Sequence, residues 1–299
     1  MSFSVVGKSA MITGSGSGLN FCFAKALLSK GCNIVLADVA LRPEAKEFLE
    51  CNQFRSPGSA RAIFQKCDVS KWKDLESVFA HAEEEFRSLD IVCPGAGVYE
   101  PLWSNFWYPP GKSPSTDGTD SNGYKMLDVN LVHPIRVTQL AIRHFLAHKK
   151  RGSIVHVSSI AGQDAAFPTP MYVASKWGVS GFVRSLAPLE KGLGIRVTAV
   201  APGVVKTPLW IEAPEKMKMI TKDDEWVTPE AVAEVMVDLI EKDECAAGRI
   251  DGGTILEVGK RVRRVEQLND PGPGGAGSTM GHKDTATREI IGRLMEDGY

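Results

Sequence analysis

Short apolar runs alternate with amphipathic stretches along most of the chain. The runs are rich in β-branched residues and too short for buried helices, so they predict strands, while the stretches between them have a helical period. The expected strands cover residues 8–13, 33–37, 62–67, 89–93, 152–157, 195–200 and 253–258. Strands that alternate with helices predict an α/β fold, a doubly wound parallel sheet in three layers and a single domain.

Two segments interrupt this pattern. Residues 99–123 are rich in Pro, Gly and Ser, and aromatic residues cluster near their start: Tyr99, Trp103, Phe106, Trp107 and Tyr108. These rings could line an apolar pocket or an interface, or form a small core beneath the loop. From about Gln267 a Gly/Pro-rich linker leads to a short amphipathic stretch. We therefore divide the chain into a catalytic domain, 1–266, and a tail, 267–299, which could dock on its own subunit, reach a neighbour or stay disordered.

The charge balance removes several classes of partner. The 299 residues carry a formal net charge of -1, whereas a nucleic acid or an anionic membrane surface usually requires a basic face. No apolar run approaches the roughly 18 residues of a membrane span, and the first residues lack the features of a signal peptide. The six cysteines, and the histidines His133, His144 and His148, have no metal-type spacing. We expect a cytoplasmic protein with reduced thiols and no metal site.

A glycine-rich turn, TGSGSGLN, lies between the first strand and the first helix. Such a turn lets the backbone approach a pyrophosphate at the helix N-terminus, where free N–H groups attract anions. The residues expected at this contact are Gly14, Ser17, Gly18 and Leu19. An ordinary tight turn is the alternative interpretation.

An acidic residue, Asp38, closes the second strand about twenty residues after the glycine turn. In this position a carboxylate can accept hydrogen bonds from an adenosine ribose and repel a 2′-phosphate. A helix-capping role is the alternative, and Arg42 is an argument for NADP because its side chain could hold that phosphate. The glycine turn itself contains no basic residue, so we expect NAD.

Three reactive side chains fall between residues 152 and 181. A β-branched run ends in a serine pair that includes Ser159, and Tyr172 and Lys176 follow at helical i,i+4 spacing. This spacing places phenol and ammonium on one helix face, about 5–6 Å apart at Cβ. A nearby cation favours the phenolate, which would let Tyr172 exchange a proton near neutral pH. A buried strand and an amphipathic helix with a chance Tyr–Lys pair is the alternative.

Together, Ser159, Tyr172 and Lys176 resemble the catalytic signature of the short-chain dehydrogenase/reductases, a family with a Rossmann-type fold. Other landmarks follow in the family's order between about residues 5 and 260. They are T-G-x-x-x-G-x-G at 13–20, the adenine-contacting pair Asp68-Val69, the turn Gly95-Ala96-Gly97, Asn130, and P-G-x-x-x-T with Pro202, Gly203, Val205 and Thr207.

Two landmarks depart from the family pattern. Asn20 stands where a third glycine is usual, and Pro94 and Gly95 replace the two asparagines of an N-N-A-G turn. The first change is expected to alter helix packing or a polar contact. The second removes amides that support the neighbouring strand ends.

The resemblance implies hydride transfer between the nicotinamide ring of the cofactor and a secondary alcohol or ketone. In this scheme Tyr172 exchanges the hydroxyl proton and Ser159 holds the oxygen. Lys176 lowers the Tyr pKa and binds the nicotinamide ribose, and Asn130 supports a proton relay through water. The C-terminal stretch GGTILEVGKRVRRV and the NAD-type acid most resemble the 15-hydroxyprostaglandin dehydrogenase type and its fungal relatives.

The resemblance also implies a substrate lid near residues 205–228. The long helices expected at 124–148 and 172–191 pair across a two-fold axis in the family, which implies a homodimer or homotetramer. The aromatic segment favours an apolar substrate such as a steroid, terpenoid, polyketide or fatty alcohol. Two other functions remain open: a biosynthetic ketoreductase that uses NADH or NADPH, and a dinucleotide-binding scaffold without activity.

Overall fold

The structure is a computed structural model that describes residues 3–52, 59–100, 104–212, 217, 221, 225–267 and 283–296. The strands with bounds in these ranges are β1 Ser9–Thr13, β2 Asn33–Asp38, β3 Ala62–Lys66, β4 Ile91–Cys93, β5 Gly152–Val157, β6 Ile195–Pro202, β7 Glu244–Cys245, β8 Gly248–Arg249, β9 Ile255–Val258 and β10 Val262–Arg264.

Helices with bounds in the same ranges are α1 Gly18–Ser29, α2 Pro43–Asn52, α3 Trp72–Phe86, α4 Lys125–Leu127, α5 His133–Ala147, α6 Pro170–Ser185, α7 Pro188–Leu193, α8 Pro208–Ile211, α9 Pro229–Glu241 and α10 Lys283–Glu296. A π-helical turn, Asp128–Val132, joins α4 to α5, and a 3-10 turn, Ile160–Gly162, follows β5. None of these helices combines the length and apolarity that crossing a membrane requires.

The main sheet has eight strands within the described residues, in the order β10-β9-β6-β5-β4-β1-β2-β3. Neighbours from β9 to β3 are parallel, and helices cross between them. The chain moves outward from β1 in one direction and then returns to β4 on its other side. In doubly wound sheets the carboxyl ends of the strands at this reversal form a ligand crevice.

Successive residues of each strand pack alternately into two separate hydrophobic cores, one on each face of the sheet. In β1, Met11 packs with the side of α3, α5 and α6, whereas Ala10 and Ile12 pack with the side of α1 and α9. The alternation follows from the two-residue period of a strand. Both faces are buried, which confirms the predicted three-layer α/β architecture.

The structure differs from the predicted elements at several places, including the small antiparallel pair of β7 and β8. The short strand β10 pairs antiparallel with β9 and gives the parallel sheet a mixed edge. The single helix expected at 124–148 is divided into α4, a π turn and α5. The helix expected at 172–191 starts earlier and is divided into α6 and α7, because Pro188 has no N–H to continue the first helix.

The C-terminal helix α10 docks on the body of its own chain. Leu294 is 5% exposed and belongs to the core on the α5–α6 face. Ile291 packs over α7 so closely that a Cβ on Gly192 would lie 2.9 Å from its side chain. Of the outcomes considered for the tail, this is docking on the same subunit. Residues 268–282 lie outside the described ranges, and the domain division at 267 stays a prediction.

Candidate active site

A cleft of about 500 Å³ opens at the carboxyl ends of the parallel strands. The structure brings every predicted site residue except Asn130 to its wall, from Gly14 and Asp38 to Ser159, Tyr172 and Lys176. Pro208, Leu209 and Trp210 of the predicted lid and Arg42 also line the wall. Residues that were not predicted for the site are Asn20, Val39, Cys67, Val98, Lys125, Val129, Val157 and Ser158. Much of the predicted lid, 213–216, 218–220 and 222–224, lies outside the described residues.

At one end, the glycine turn forms a cradle that leaves no room for a side chain at Gly14 or Gly16. Gly14 has φ +68, and a Cβ there would lie 2.5 Å from the Cα of Ala96. A Cβ on Gly16 would lie 2.1 Å from the carbonyl oxygen of Ala40. The N-cap of α1, Ser17, makes no side-chain capping bond, so the first N–H groups of the helix are open to an anion. This geometry fits a dinucleotide pyrophosphate.

Asp38 reaches back to the glycine turn. Its Oδ2 accepts a hydrogen bond of 2.8 Å from the N–H of Gly16, and its Oδ1 lies 3.5 Å from the N–H of Ala40. The sequence interpretation left both oxygens to the ribose, but the structure shows that the turn uses one of them. A carboxylate oxygen has two lone pairs, so both oxygens retain capacity to accept from ribose hydroxyls.

The two departures from the family pattern meet in space. The Asn20 amide nitrogen donates to the carbonyl oxygens of Gly95 at 2.8 Å and Gly14 at 3.3 Å. A Cβ on Gly95 would lie 2.4 Å from Asn20 Oδ1. The side chain at 20 therefore occupies the space that a side chain at 95 would need. It also supplies an amide next to the turn that has lost its own asparagines.

The catalytic candidates lie at the opposite end of the cleft. Ser159 follows β5, and its Oγ accepts from the N–H of Ala161 at 3.2 Å. The Ser159 side chain faces the phenol of Tyr172, which lies in the first turn of α6. Burial raises the pKa of Tyr172 to about 12, with the Ser159 side chain acting in the opposite direction and Tyr99 adding to the rise. The phenol is therefore neutral at neutral pH.

Lys176 lies one turn later on α6 and is 5% exposed. Its Nζ donates to the carbonyl oxygen of Val157 at 2.9 Å and lies 5.5 Å from the centroid of the Tyr172 ring. Burial lowers the pKa of Lys176 to about 8. From the sequence, we expected the ammonium to lower the pKa of Tyr172. The structure gives the opposite direction, because the phenol is buried and the ammonium donates to the strand carbonyl.

Asn130 supports the site from behind the cleft wall. It lies in the π-helical turn and is 1% exposed. Its side chain accepts from the N–H of Val98 and donates to the carbonyl oxygen of the same residue, both at 2.9 Å. A Cβ on Gly97 would lie 3.5 Å from Asn130 Oδ1 and 3.8 Å from Lys176 Nζ, so the glycine keeps a small space beside both groups.

A sequence model of the family described as short chain dehydrogenase matches residues 8–218. The chain belongs to this family. It is 30% identical over 255 residues to rat 15-hydroxyprostaglandin dehydrogenase [NAD(+)], with 80% of this chain and 88% of the relative covered. It is 32% identical to a diacetyl reductase [(S)-acetoin forming] of Staphylococcus epidermidis, with 70% and 76% covered. The predicted family and the resemblance to the 15-hydroxyprostaglandin dehydrogenase type are confirmed.

The fold is also shared with a solved structure. A 3-ketoacyl-(acyl-carrier-protein) reductase from Brucella melitensis, determined as a complex with NADH, superposes with a TM-score of 0.66. The two chains are 22% identical, and the match covers 85% of this chain and 98% of the reductase. At this identity the likeness shows the Rossmann-type fold alone.

In this short-chain dehydrogenase, an aromatic chain of contacts starts at the ring of Tyr172. The ring of Tyr99 meets the ring of Tyr172 edge-on at 4.6 Å and packs against Trp210 of α8 at 5.4 Å. Trp107 packs on Phe167 at 4.5 Å and donates from Nε1 to its carbonyl oxygen. The described members of the aromatic segment thus lie at the catalytic end or on the surface beside it. Trp103 lies outside the described residues.

Sequence reasoning missed a buried carboxylate behind these rings. Glu100 is 0% exposed, and its Oε2 accepts from the N–H of Tyr172 at 3.0 Å while its Oε1 accepts from the N–H of Phe106 at 3.3 Å. Burial raises the pKa of Glu100 despite these bonds. The side chain fixes the first turn of α6 to the aromatic loop. Nothing in the local sequence around residue 100 indicates this contact.

One group of potential metal ligands occurs among the described residues, on α3 and α5. Ligand atoms of Glu83, His144 and His148 lie within 4.8 Å of one another, although the sequence analysis set these histidines aside because of their spacing. His144 Nε2 accepts from the N–H of Leu89 at 2.8 Å, and burial lowers the pKa of this imidazole to about 4. His144 therefore serves the packing of the helix on the sheet, and the cluster has no part in the cleft.

Proposed function

We propose that this protein is an NAD-dependent dehydrogenase that oxidises a secondary alcohol of an apolar small molecule to the ketone. The observation that carries the proposal is the convergence of Ser159, Tyr172 and Lys176 at one end of a cleft whose other end is a glycine cradle. The NAD(+)-dependent relative at 30% identity supports the same reaction type.

The residues that would hold NAD divide by the part of the cofactor they meet. The turn around Gly14 and Gly18 and the open N-terminus of α1 suit the pyrophosphate, and Asp38 suits the adenosine ribose. The remaining predicted contacts are Ser17, Leu19, Asp68, Val69, Gly95, Ala96, Gly97, Pro202, Gly203, Val205 and Thr207, with Tyr172 and Lys176 at the nicotinamide end. When bound there, NAD supplies the acceptor for the hydride.

The side chains then have separate tasks. Ser159 holds the substrate oxygen beside the Tyr172 hydroxyl, which its side chain faces. Tyr172 accepts the hydroxyl proton in its phenolate form, which is the minor form at neutral pH, as the hydride leaves the carbinol carbon. Lys176 supplies positive charge next to the phenol, and Asn130 keeps the loop after β4 at Val98 and the space beside the ammonium in place.

Apolar side chains near Tyr172 support an apolar substrate. Tyr99 meets the ring of Tyr172 edge-on and packs against Trp210, and Leu209 and Trp210 line the cleft from α8. Aromatic and aliphatic walls with few polar groups favour ligands that bury hydrocarbon surface. Steroids, terpenoids, polyketides and fatty alcohols are the classes that we propose.

Ketone reduction with a reduced nicotinamide cofactor is the second candidate. The raised pKa of Tyr172 favours it, because a neutral phenol is ready to donate a proton to a ketone oxygen. A relative that is a diacetyl reductase supports the same direction.

We further propose a homodimer or homotetramer formed through α5 and α6. Val132 and Trp177, next to α5 and on α6, are 39% and 37% exposed, which is high for such large apolar side chains. Light scattering at micromolar concentration should give at least twice the monomer mass, and a monomer would contradict the proposal.

We also propose that the protein is cytoplasmic. Its cysteines are free thiols, of which Cys32, Cys67 and Cys93 are buried, and free thiols are typical of proteins in the reducing cytoplasm. Fractionation of the native host would check this location.

The main test is a panel of secondary alcohols with NAD, followed by the absorbance of NADH. We expect oxidation of apolar alcohols, faster at about pH 9 than at about pH 7, because the base is then more often deprotonated. The matching ketones with NADH and NADPH test the second candidate. Turnover of small hydrophilic alcohols alone would contradict the apolar class, and binding of cofactor without turnover of any substrate would favour a scaffold.

A further inference from the structure

An ion pair joins the adenosine end of the cleft to the lid. The guanidinium of Arg42 makes two hydrogen bonds of 2.5 Å to the two carboxylate oxygens of Glu212. Arg42 lies between β2 and α2 and lines the cleft, while Glu212 directly follows α8. The pair therefore connects residues that are 170 positions apart in the chain.

The backbone of Arg42 is held next to Asp38. Its N–H donates to the carbonyl oxygen of Gly16 at 3.1 Å, and the N–H of Gly16 donates to Asp38 Oδ2 at 2.8 Å. One glycine thus fixes both residues at the end where the adenosine ribose is expected. The backbone of Arg42 is therefore fixed, whereas its long side chain can reach different partners. In the structure it points towards Glu212.

We propose that Glu212 is a selectivity residue that holds the Arg42 guanidinium on the lid and withholds it from the 2′-phosphate of NADP. This inference rests on the proposed function. A guanidinium binds carboxylate and phosphate in the same two-pronged geometry, so one partner excludes the other. Selectivity for NAD then has two sources: Asp38 repels the additional phosphate, and Glu212 occupies the cation that could neutralise it.

The strength of the pair sets the size of the effect. The side chains of Arg42 and Glu212 are 41% and 51% exposed, and exposed ion pairs contribute little to stability. Removal of Glu212 therefore leaves the fold intact and gives a free guanidinium four residues after Asp38. We expect NADP affinity to rise about three- to tenfold while NAD affinity changes less than about twofold.

The test is calorimetric titration of the full chain with NADH and NADPH, without substrate. The variants are Glu212→Ala, Arg42→Ala and the double variant. Glu225→Ala is the matched control, since Glu225 is also an acidic lid residue, pairs with Lys260 at 2.8 Å, and does not line the cleft. It changes the net charge by the same amount and so reports any general attraction of the additional phosphate.

The inference predicts a tighter NADPH complex in Glu212→Ala, no such gain in Glu225→Ala, and loss of the gain in the double variant. An unchanged NADH-to-NADPH ratio in Glu212→Ala, a gain that persists without Arg42, or an equal gain in the control would each overturn it. In these cases NADH binding by the unmodified protein keeps the proposed function. Failure of the unmodified protein to bind either cofactor overturns both.

Discussion

The two ends of the cleft are built in different ways. At the cofactor end, the cleft wall is formed mainly by backbone, namely the glycine turn and the ends of β1, β2 and β4. At the substrate end, they come from side chains that long loops bring together, such as Tyr99 on Tyr172 and Glu100 on the first turn of α6. The partners Glu100 and Tyr172 are 72 residues apart.

This difference separates what is general in the family from what is particular to this protein. A pyrophosphate needs free N–H groups and close backbone, which a short motif encodes. An apolar substrate needs a shaped wall, which only distant segments can form together. Changes at the first end should therefore act on cofactor binding and stability, and changes at the second end on substrate kinetics.

The largest expected effect lies where the two ends meet. Tyr172→Phe should reduce turnover about 10²- to 10⁴-fold, because it removes the proton-transfer group and leaves the ring in place. NADH affinity and thermal unfolding should remain close to those of the unmodified protein. Tyr108→Phe, at a tyrosine that is 47% exposed, is the matched control. Near-normal turnover of Tyr172→Phe would exclude this residue as the acid or base.

The second effect is a loss of fold stability at acid pH, caused by a buried histidine beneath the cofactor end. His133 is 0% exposed, its Nε2 lies 2.9 Å from Thr13 Oγ1, and burial lowers its pKa to about 4. As the pH falls, this imidazole is protonated in the unfolded chain before it is protonated in the folded chain. The free energy of unfolding therefore decreases between about pH 6.5 and about pH 4, by about 3 kcal/mol for this group.

Urea unfolding at several pH values measures this loss. His133→Gln should be less sensitive to pH in this window than the unmodified protein, whatever its stability at neutral pH. His81→Gln, at a partly exposed position on α3, is the control and should keep the original pH dependence. Equal slopes for His133→Gln and the unmodified protein would contradict the assignment.

The third prediction tests the Asn20–Gly95 contact. Gly95→Ala should destabilise the fold by about 1–3 kcal/mol, because the new Cβ requires Asn20 to move. In an Asn20→Gly background the same change should cost much less, since the obstructing side chain is absent. Urea unfolding of the four proteins gives the coupling energy. Additive effects would show that the two positions do not interact.

The fourth prediction concerns cofactor choice by Asp38. Asp38→Ala should lower the preference for NAD over NADP about tenfold, because the repulsion of a 2′-phosphate disappears. Titration with both cofactors measures the ratio, and Glu44→Ala, an equal change of charge in the first turn of α2, is the control. Tighter binding of NADP by the unmodified protein would favour the reductive candidate.

The smallest effect is expected at the substrate end. Trp210→Ala should raise KM for an apolar alcohol up to about tenfold, with kcat and NADH affinity less affected, because it removes aromatic wall and no reacting group. Trp72→Ala, on α3 and outside the cleft wall, is the control. A loss of NADH affinity equal to the change in KM would mean that the two ends are not separable.

The sequence predicted the elements best where local signals were complete. The bounds of β5 agree with prediction. The start of α9 also carries a complete local signal: the side chain of Thr228 accepts from the N–H of Ala231, and Pro229 stands at the first helical position. Neither the π turn before α5 nor the antiparallel strand β10 has such a signal. Both depend on packing against the rest of the fold.

The same limit applies to the site. Spacing was sufficient to propose Ser159, Tyr172 and Lys176, because strand, loop and helix carry them in one short stretch. It was not sufficient for Glu100 or Glu212, since each acts on a segment distant in sequence. The direction of the Tyr172 pKa also depended on burial and on where Lys176 donates, which are properties of the folded chain alone.

The mixed edge of the sheet affects how copies of the chain can associate. An exposed edge strand offers unpaired backbone groups to other chains and promotes aggregation, which short strands with charged side chains oppose. The last strand, β10, has three residues, two of them arginines, and Arg263 and Arg264 pair with Glu257 and Asp251. Growth of the sheet from this edge is therefore disfavoured.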